Sequence, residues 1–172
     1  MSHLAELLER NRNTQRHHVL LPLLPKRPVV VLSCLDARTD PAHFLGLEPG
    51  EALVLRNVGG RVTPEVELQI AFVAAIARKN AGPAPTVLLV HHTDCGAESL
   101  VRPAVREAMA GAMGTAPEAL ATFAIDDHDA SLRTDLERLR ASSHALPGVT
   151  VVGLRLDHAS GALDLRFSEV LA

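Results

Sequence analysis

Three short apolar runs constrain the fold of this chain more than any other feature. Val29-Val30-Val31-Leu32, Ala52-Leu53-Val54-Leu55 and Val87-Leu88-Leu89-Val90 are continuous rather than alternating. Such runs suit strands of a parallel sheet buried on both faces, with helices covering each side. The segment between the second and third runs supplies one such helix. Thr63 is an N-cap, Pro64 fits the first helical position, and Glu65 suits the positive end of the helix dipole. Arg78 and Lys79 suit the opposite end, and Asn80 with Gly82 stops it. From Ile70 onward apolar residues lie on nearly every side, which predicts a largely buried second half. Further helices are expected near Ala104–Met109, opened by Pro103, and over Ala130–Ala141. Thr150–Leu156, a turn holding Gly161, and Ala162–Leu165 read as a closing hairpin. The expected fold is one α/β domain over residues 1–172. Its central sheet is mostly parallel, of order about 2-1-3-4 with a C-terminal antiparallel strand, and is flanked by helices.

Residues 1–27 precede this pattern. Leu4, Leu7 and Leu8 form a narrow helical stripe behind Ser2, a second N-cap. A polar stretch leads on to Val19–Leu24, an apolar arm broken by Pro22 and closed by Pro25. So short a stripe has little to bury against in its own domain. A partner subunit is a natural receiver, and packing on the parent core is the alternative.

Composition removes several classes of function. Seventeen basic against twenty acidic side chains leave a net charge of −3, which argues against electrostatic capture of nucleic acid. The longest apolar run, Ile70 to Ala77, is eight residues, less than half of the ~20 that span a bilayer. Glu6 and Glu9 interrupt the N-terminus, so no signal peptide is read there and a cytoplasmic protein is expected. There is no Trp or Tyr and only four Phe, so base stacking and aromatic cages lack their parts. Two cysteines, Cys34 and Cys95, exclude a disulfide framework by count.

Those two thiols fall where chemistry is expected. Cys34 follows the first strand, and His92 with Cys95 follows the third. Open α/β sheets bind ligands beyond the carboxyl ends of their strands, where strand order reverses. A 2-1-3 order would bring all three residues together. Two thiolates and an imidazole suit zinc, and His-x-x-Cys lets one short turn supply two of them. A structural zinc site closes with four protein ligands, whereas three plus a water is the catalytic pattern. Extended backbone would also put Cys34, Asp36 and Arg38 on one face. The Arg38 guanidinium can hold the Asp36 carboxylate off the metal, making the pair a gate and an orienter. A nucleophilic cysteine of phosphatase type would need arginine six positions after Cys34, where Asp40 stands.

Cys34-x-Asp36-x-Arg38 followed by His92-x-x-Cys95 resembles the signature of the β-class carbonic anhydrases. The similarity takes in Arg56-Asn57-Val58-Gly59-Gly60 and His91-His92-Thr93-Asp94-Cys95-Gly96, and runs from about Pro28 to Leu165. It is nearest to the short archaeal and mycobacterial-type members. The resemblance implies zinc, one ion per subunit, on Cys34, His92 and Cys95, with Asp36 and Arg38 as the catalytic dyad. It implies reversible hydration of carbon dioxide to bicarbonate and a proton by zinc-bound hydroxide. It also implies a dimer with the N-terminal helix reaching across. Relatives on this scaffold hydrolyse carbonyl sulfide or carbon disulfide, which gives one alternative; a catalytically silent zinc-binding module is another. The tyrosine of the plant-type pocket is absent, as are the Trp and Tyr of a bicarbonate-inhibition site, so no regulation of that kind is expected. Val58 stands where the family usually shows alanine.

Strand alternation turns His91 away from His92, to a packed or supporting position. His3, His17, His18, His43, His128, His144 and His158 lie outside the apolar runs and read as surface residues. Arg56 and Gly59-Gly60 either shape the pocket or form a tight connection. Asp94 either orients a ligand or faces solvent.

Overall fold

A computed structural model describes residues 2–172. The three apolar runs form strands, extended at their carboxyl ends: β1 (Val29–Cys34), β2 (Leu53–Asn57) and β3 (Thr86–His92). The closing hairpin is β4 (Thr150–Leu156) and β5 (Leu163–Val170), longer in its second arm than the sequence suggests. The sheet order is β2-β1-β3-β4-β5, with β5 alone antiparallel, as expected.

Among the described residues six α-helices accompany the sheet: α1 (His3–Thr14), α2 (Pro41–Phe44), α3 (Pro64–Lys79), α4 (Pro103–Met113), α5 (Pro117–Ala121) and α6 (His128–Arg140). The two caps read from the sequence are present: Ser2 accepts from the Ala5 amide and Thr63 from the Val66 amide. Asp127, which the sequence reading did not single out, caps α6 through the Ala130 amide. The short α2 and α5 carry too few residues to show a period, and the sequence reading missed them.

One core lies between the sheet and helices α3 and α6. Val30 and Leu32 of β1 and Val87 and Leu89 of β3 meet Val66, Ile70 and Ala74 of α3 and Leu132, Leu136 and Leu139 of α6. The opposite face buries Val31, Val90 and Leu156, with Phe44, Leu45 and Leu47 packed on them. A small cluster of Leu100, Ala110 and Leu120 ties α4 to α5.

Two expectations fail at the sheet's β2 edge. β2 is an edge strand rather than one buried on both faces, and Val54 is exposed. The second half of α3 is not largely buried either. Ile70 and Ala74 are buried and Ala71 and Val73 partly so, while Phe72 is 64% exposed and Leu68, one turn earlier, 56%. With no strand beyond β2, nothing among the described residues covers that side of the helix. Leu4, Leu7 and Leu8 of α1 are exposed as well, as are Val19, Leu20 and Leu23 of the arm, so the stripe does not pack on its own core.

Candidate metal centre

β1 and β3 are neighbours, so their carboxyl ends open side by side. Cys34 is the last residue of β1, His92 the last of β3, and Cys95 follows three positions on. All three are buried, and their ligand atoms lie within 4.8 Å of one another. The sulfurs are 3.8 Å apart. Two zinc–sulfur bonds of about 2.3 Å at a tetrahedral angle would put them about 3.8 Å apart.

The histidine is set for the same role. His92 Nδ1 donates to the Thr93 carbonyl at 3.0 Å, which leaves Nε2 with the lone pair. That Nε2 is buried and has no hydrogen-bond partner. An orphaned buried nitrogen beside two sulfurs is costly unless something binds it. Cys34 is pushed well below the ordinary thiol value, first by the hydrogen bond from Cys95 and further by His92 and the Asp36 amide. Cys95, as donor to that thiolate, is pushed up. A divalent cation would replace the shared proton and ionise both. Donor type, spacing and burial fit zinc.

Local structure explains how the ends are held. Gly60 has φ +65°, and a Cβ there would come within 2.9 Å of the Ser33 backbone and the Val90 carbonyl. Only glycine lets the loop after β2 pass this close behind both strands. Arg56 Nε donates to the Cys34 carbonyl at 2.9 Å and Arg56 Nη2 to the Asp36 carbonyl at 2.6 Å. So Arg56 fastens the loop that carries Cys34 and Asp36, and Gly59-Gly60 makes the tight connection. Ala97 and Ile125 wall the thiols. Val58 is at the surface of its turn.

The expected extended run from Cys34 to Arg38 does not form. The backbone bends at Asp36, which caps a 3₁₀ turn over Ala37–Thr39 by accepting the Arg38 amide at 2.9 Å. Asp36 and Arg38 still pair, because the turn folds the guanidinium back. Arg38 Nε reaches Oδ1 at 3.0 Å and Nη2 reaches Oδ2 at 2.7 Å. This grip holds Asp36 well below the usual carboxylate range. Asp94 has φ +56°, a left-handed conformation that aspartate tolerates better than most residues. It turns both its carboxylate (2.7 Å) and its carbonyl (2.9 Å) onto Arg38.

The remaining histidines divide. His91 is fully buried on the far side of β3, at 3.1 Å from Asp135 of α6. His3, His17, His18 and His43 are exposed. Two of those read as surface residues are not idle. His128 meets Glu98 at 3.2 Å, and Glu98 accepts the Cys95 amide. His158, from the β4–β5 turn, lies 3.0 Å from Arg38. No sequence signal marks that contact, which spans 120 positions.

Comparisons with known proteins agree with this geometry. The family model described as carbonic anhydrase matches residues 29–161. β-Carbonic anhydrase 1 of Mycobacterium tuberculosis is 30% identical over 144 residues, covering 84% of this chain and 85% of that protein. The crystal structure of carbonic anhydrase from Streptococcus mutans superposes with a TM-score of 0.77 at 28% identity, covering 97% of this chain and 99% of that one. A carbon disulfide hydrolase of Acidianus is 36% identical over a shorter stretch of 70 residues, 41% of this chain and 32% of that protein. On this family match, with the Cys34–His92–Cys95 cluster at the end of a 2-1-3-4-5 sheet, the chain belongs to the β-class carbonic anhydrases.

Proposed function

We propose that this chain is a zinc lyase that hydrates carbon dioxide to bicarbonate and a proton. Cys34, His92 and Cys95 hold the metal, and Asp36 with Arg38 orients the attacking water. The observation that carries this reading is the orphaned His92 Nε2 and paired thiols beside a carboxylate already held by arginine. A purely structural zinc site has no use for such a gate.

Bound zinc supplies Lewis acidity and lowers the pKa of a water at the site. The chain's own residues do the rest. Both Asp36 oxygens are occupied by Arg38, so the carboxylate stays ionised and is kept from becoming a fourth ligand. An ionised carboxylate only accepts hydrogen bonds, so Asp36 can take one from the nucleophilic water and aim its lone pair at carbon. Arg56 keeps that carboxylate at a fixed distance from Cys34. The Thr93 carbonyl fixes the His92 tautomer, and Ala97 with Ile125 keeps water from behind the thiols. Bicarbonate then leaves, and the proton given up by the attacking water passes to buffer.

The assembly we propose is a homodimer or a dimer of dimers, supported by the uncovered leucines of α1 and the arm. The N-terminal 27 residues would pack on the partner subunit. Among the described residues no helix is long and apolar enough to cross a membrane. A cytoplasmic location is supported by free thiols 3.8 Å apart that must stay reduced to hold a metal.

Stopped-flow hydration of carbon dioxide on protein of verified zinc content tests the reading. Turnover that disappears with a chelator and returns with zinc is expected. Full zinc occupancy without turnover would sink it. The carbon disulfide hydrolase match supports a second reading, in which the same site hydrolyses carbon disulfide or carbonyl sulfide; sulfide release would decide for it.

A further inference from the structure

A guanidinium has five N–H donors and no acceptor. In Arg38 all five are matched. The Nε–H is shared by the Asp36 oxygens at 3.0 and 3.1 Å. Nη2 donates to Asp36 Oδ2 at 2.7 Å and to the Asp94 carbonyl at 2.9 Å. Nη1 donates to Asp94 Oδ2 at 2.7 Å and meets His158 Nε2 at 3.0 Å. Because arginine cannot accept, the imidazole must, so the ring is neutral and carries its proton on Nδ1.

The ring is delivered from the main chain. The His158 amide donates to Thr93 Oγ1 at 2.9 Å, and the Thr93 amide donates to the Leu156 carbonyl at 3.0 Å. These bonds dock the β4–β5 turn on the loop that carries His92, Asp94 and Cys95. Arg38 is otherwise half open to solvent.

We infer that His158 is a positioning residue for the Asp36–Arg38 pair, holding the fifth guanidinium hydrogen so that Arg38 keeps Asp36 aimed. This rests on the function proposed above. The charged groups that face the ring are Arg38 and the Asp94 carboxylate, 3.7 Å from Nε2, with Asp36 beyond the guanidinium. On its own turn, the Asp157 carboxylate accepts from the amide and hydroxyl of Ser160. Without that acceptor one Nη1 hydrogen of Arg38 is left unmatched and the guanidinium is free to turn toward solvent. The grip on Asp36 then loosens.

Three measurements on the zinc-loaded, full-length protein test this. The 15N shifts of the His158 ring, assigned by comparison with His158→Leu, are expected to show the Nδ1–H form. His158→Leu is expected to keep one zinc per chain and lose about tenfold in kcat, the scale of one hydrogen bond to a charged group, with KM little changed. In His158→Gln the amide oxygen can take the same N–H. That variant should recover to within about twofold. A His158→Leu enzyme with wild-type kcat, or a ring protonated on Nε2, overturns the inference. Wild-type protein that holds zinc but does not hydrate carbon dioxide overturns the proposed function instead. The tautomer then decides for His158 alone: Nδ1–H sustains the clamp and Nε2–H removes it.

Discussion

Two arginine–carboxylate–histidine clusters flank the end of β3, and His91 and His92 are the neighbours that separate them. On the α6 side, Asp135 receives His91 Nε2 at 3.1 Å, Arg61 Nε at 2.8 Å and Arg138 Nη1 at 3.1 Å. Arg61 also donates to the Ala124 carbonyl and Arg138 to the Val62 carbonyl. Asp135 is fully buried and Arg61 nearly so. Burial, against the pull of Asp135, holds His91 below the ordinary imidazole range. On the metal side, Asp36, Arg38, Asp94 and His158 repeat the same chemistry in partial exposure. The first cluster fixes α6 and the loop after β2 beneath the sheet. The second stands beside the thiols, where water and substrate reach it. One set of residue types thus serves as scaffold or as machinery according to solvent access.

The sharpest way to break the comparison is to remove the metal. Cys95→Ser should bind little or no zinc and lose all measurable hydration while the fold persists, read by elemental analysis and circular dichroism. Retained zinc with turnover would place the site elsewhere.

The next two variants should separate the clusters. Asp135→Asn leaves Arg61 as a buried cation without its counter-charge, and breaking such a pair costs about 3–5 kcal/mol. Denaturant unfolding should record that loss, while turnover per folded, zinc-loaded molecule stays within about threefold of wild type. Asp36→Ala should do the reverse. It keeps zinc and stability and loses about a hundredfold in kcat, as expected for a positioned proton acceptor. If Asp36→Ala loses zinc, Asp36 is a ligand rather than a gate. If Asp135→Asn loses turnover without stability, the buried cluster is not scaffold.

The half of this arrangement carried by local sequence was legible. Continuous apolar runs gave the parallel strands, and their carboxyl ends placed Cys34, His92 and Cys95 together. Alternation along β3 separated His91 from His92, because successive side chains of a strand face opposite sides. Contacts made by the chain's return were not legible. His158 reaches Arg38 across 120 positions, and Asp135 reaches Arg61 across 74. Nothing in the spacing of either pair marks it. The bend at Asp36 was hidden for another reason: a side chain that caps its own turn competes with extended backbone, and the pattern of residue types is the same in both. The β2 edge was misread because an apolar run reads the same in a central strand as in an edge strand with one face exposed.

The smallest expected effect tests whether exposure alone sets the value of such pairs. Asp129 at the start of α6 accepts from Arg166 of β5, Nε to Oδ1 at 2.7 Å with a second contact from Nη2. The geometry is bidentate, like that of Asp36 with Arg38, and the pair is about as exposed as that one, but among the described residues it joins no other charge bridge. Arg166 holds the Asp129 carboxyl below its usual range. A carboxylate whose pKa is lowered by folding adds stability above its unfolded pKa, near 3.9, and loses it as pH falls through the folded value. Asp129→Asn should therefore lower Tm by only about 2 °C or less at pH 7. The two melting curves should converge below the ordinary carboxylate range. A larger difference at pH 7, or one that persists in acid, would mean that the bridge between α6 and β5 does more than screen two surface charges. Exposure would then not be what separates the two clusters at β3.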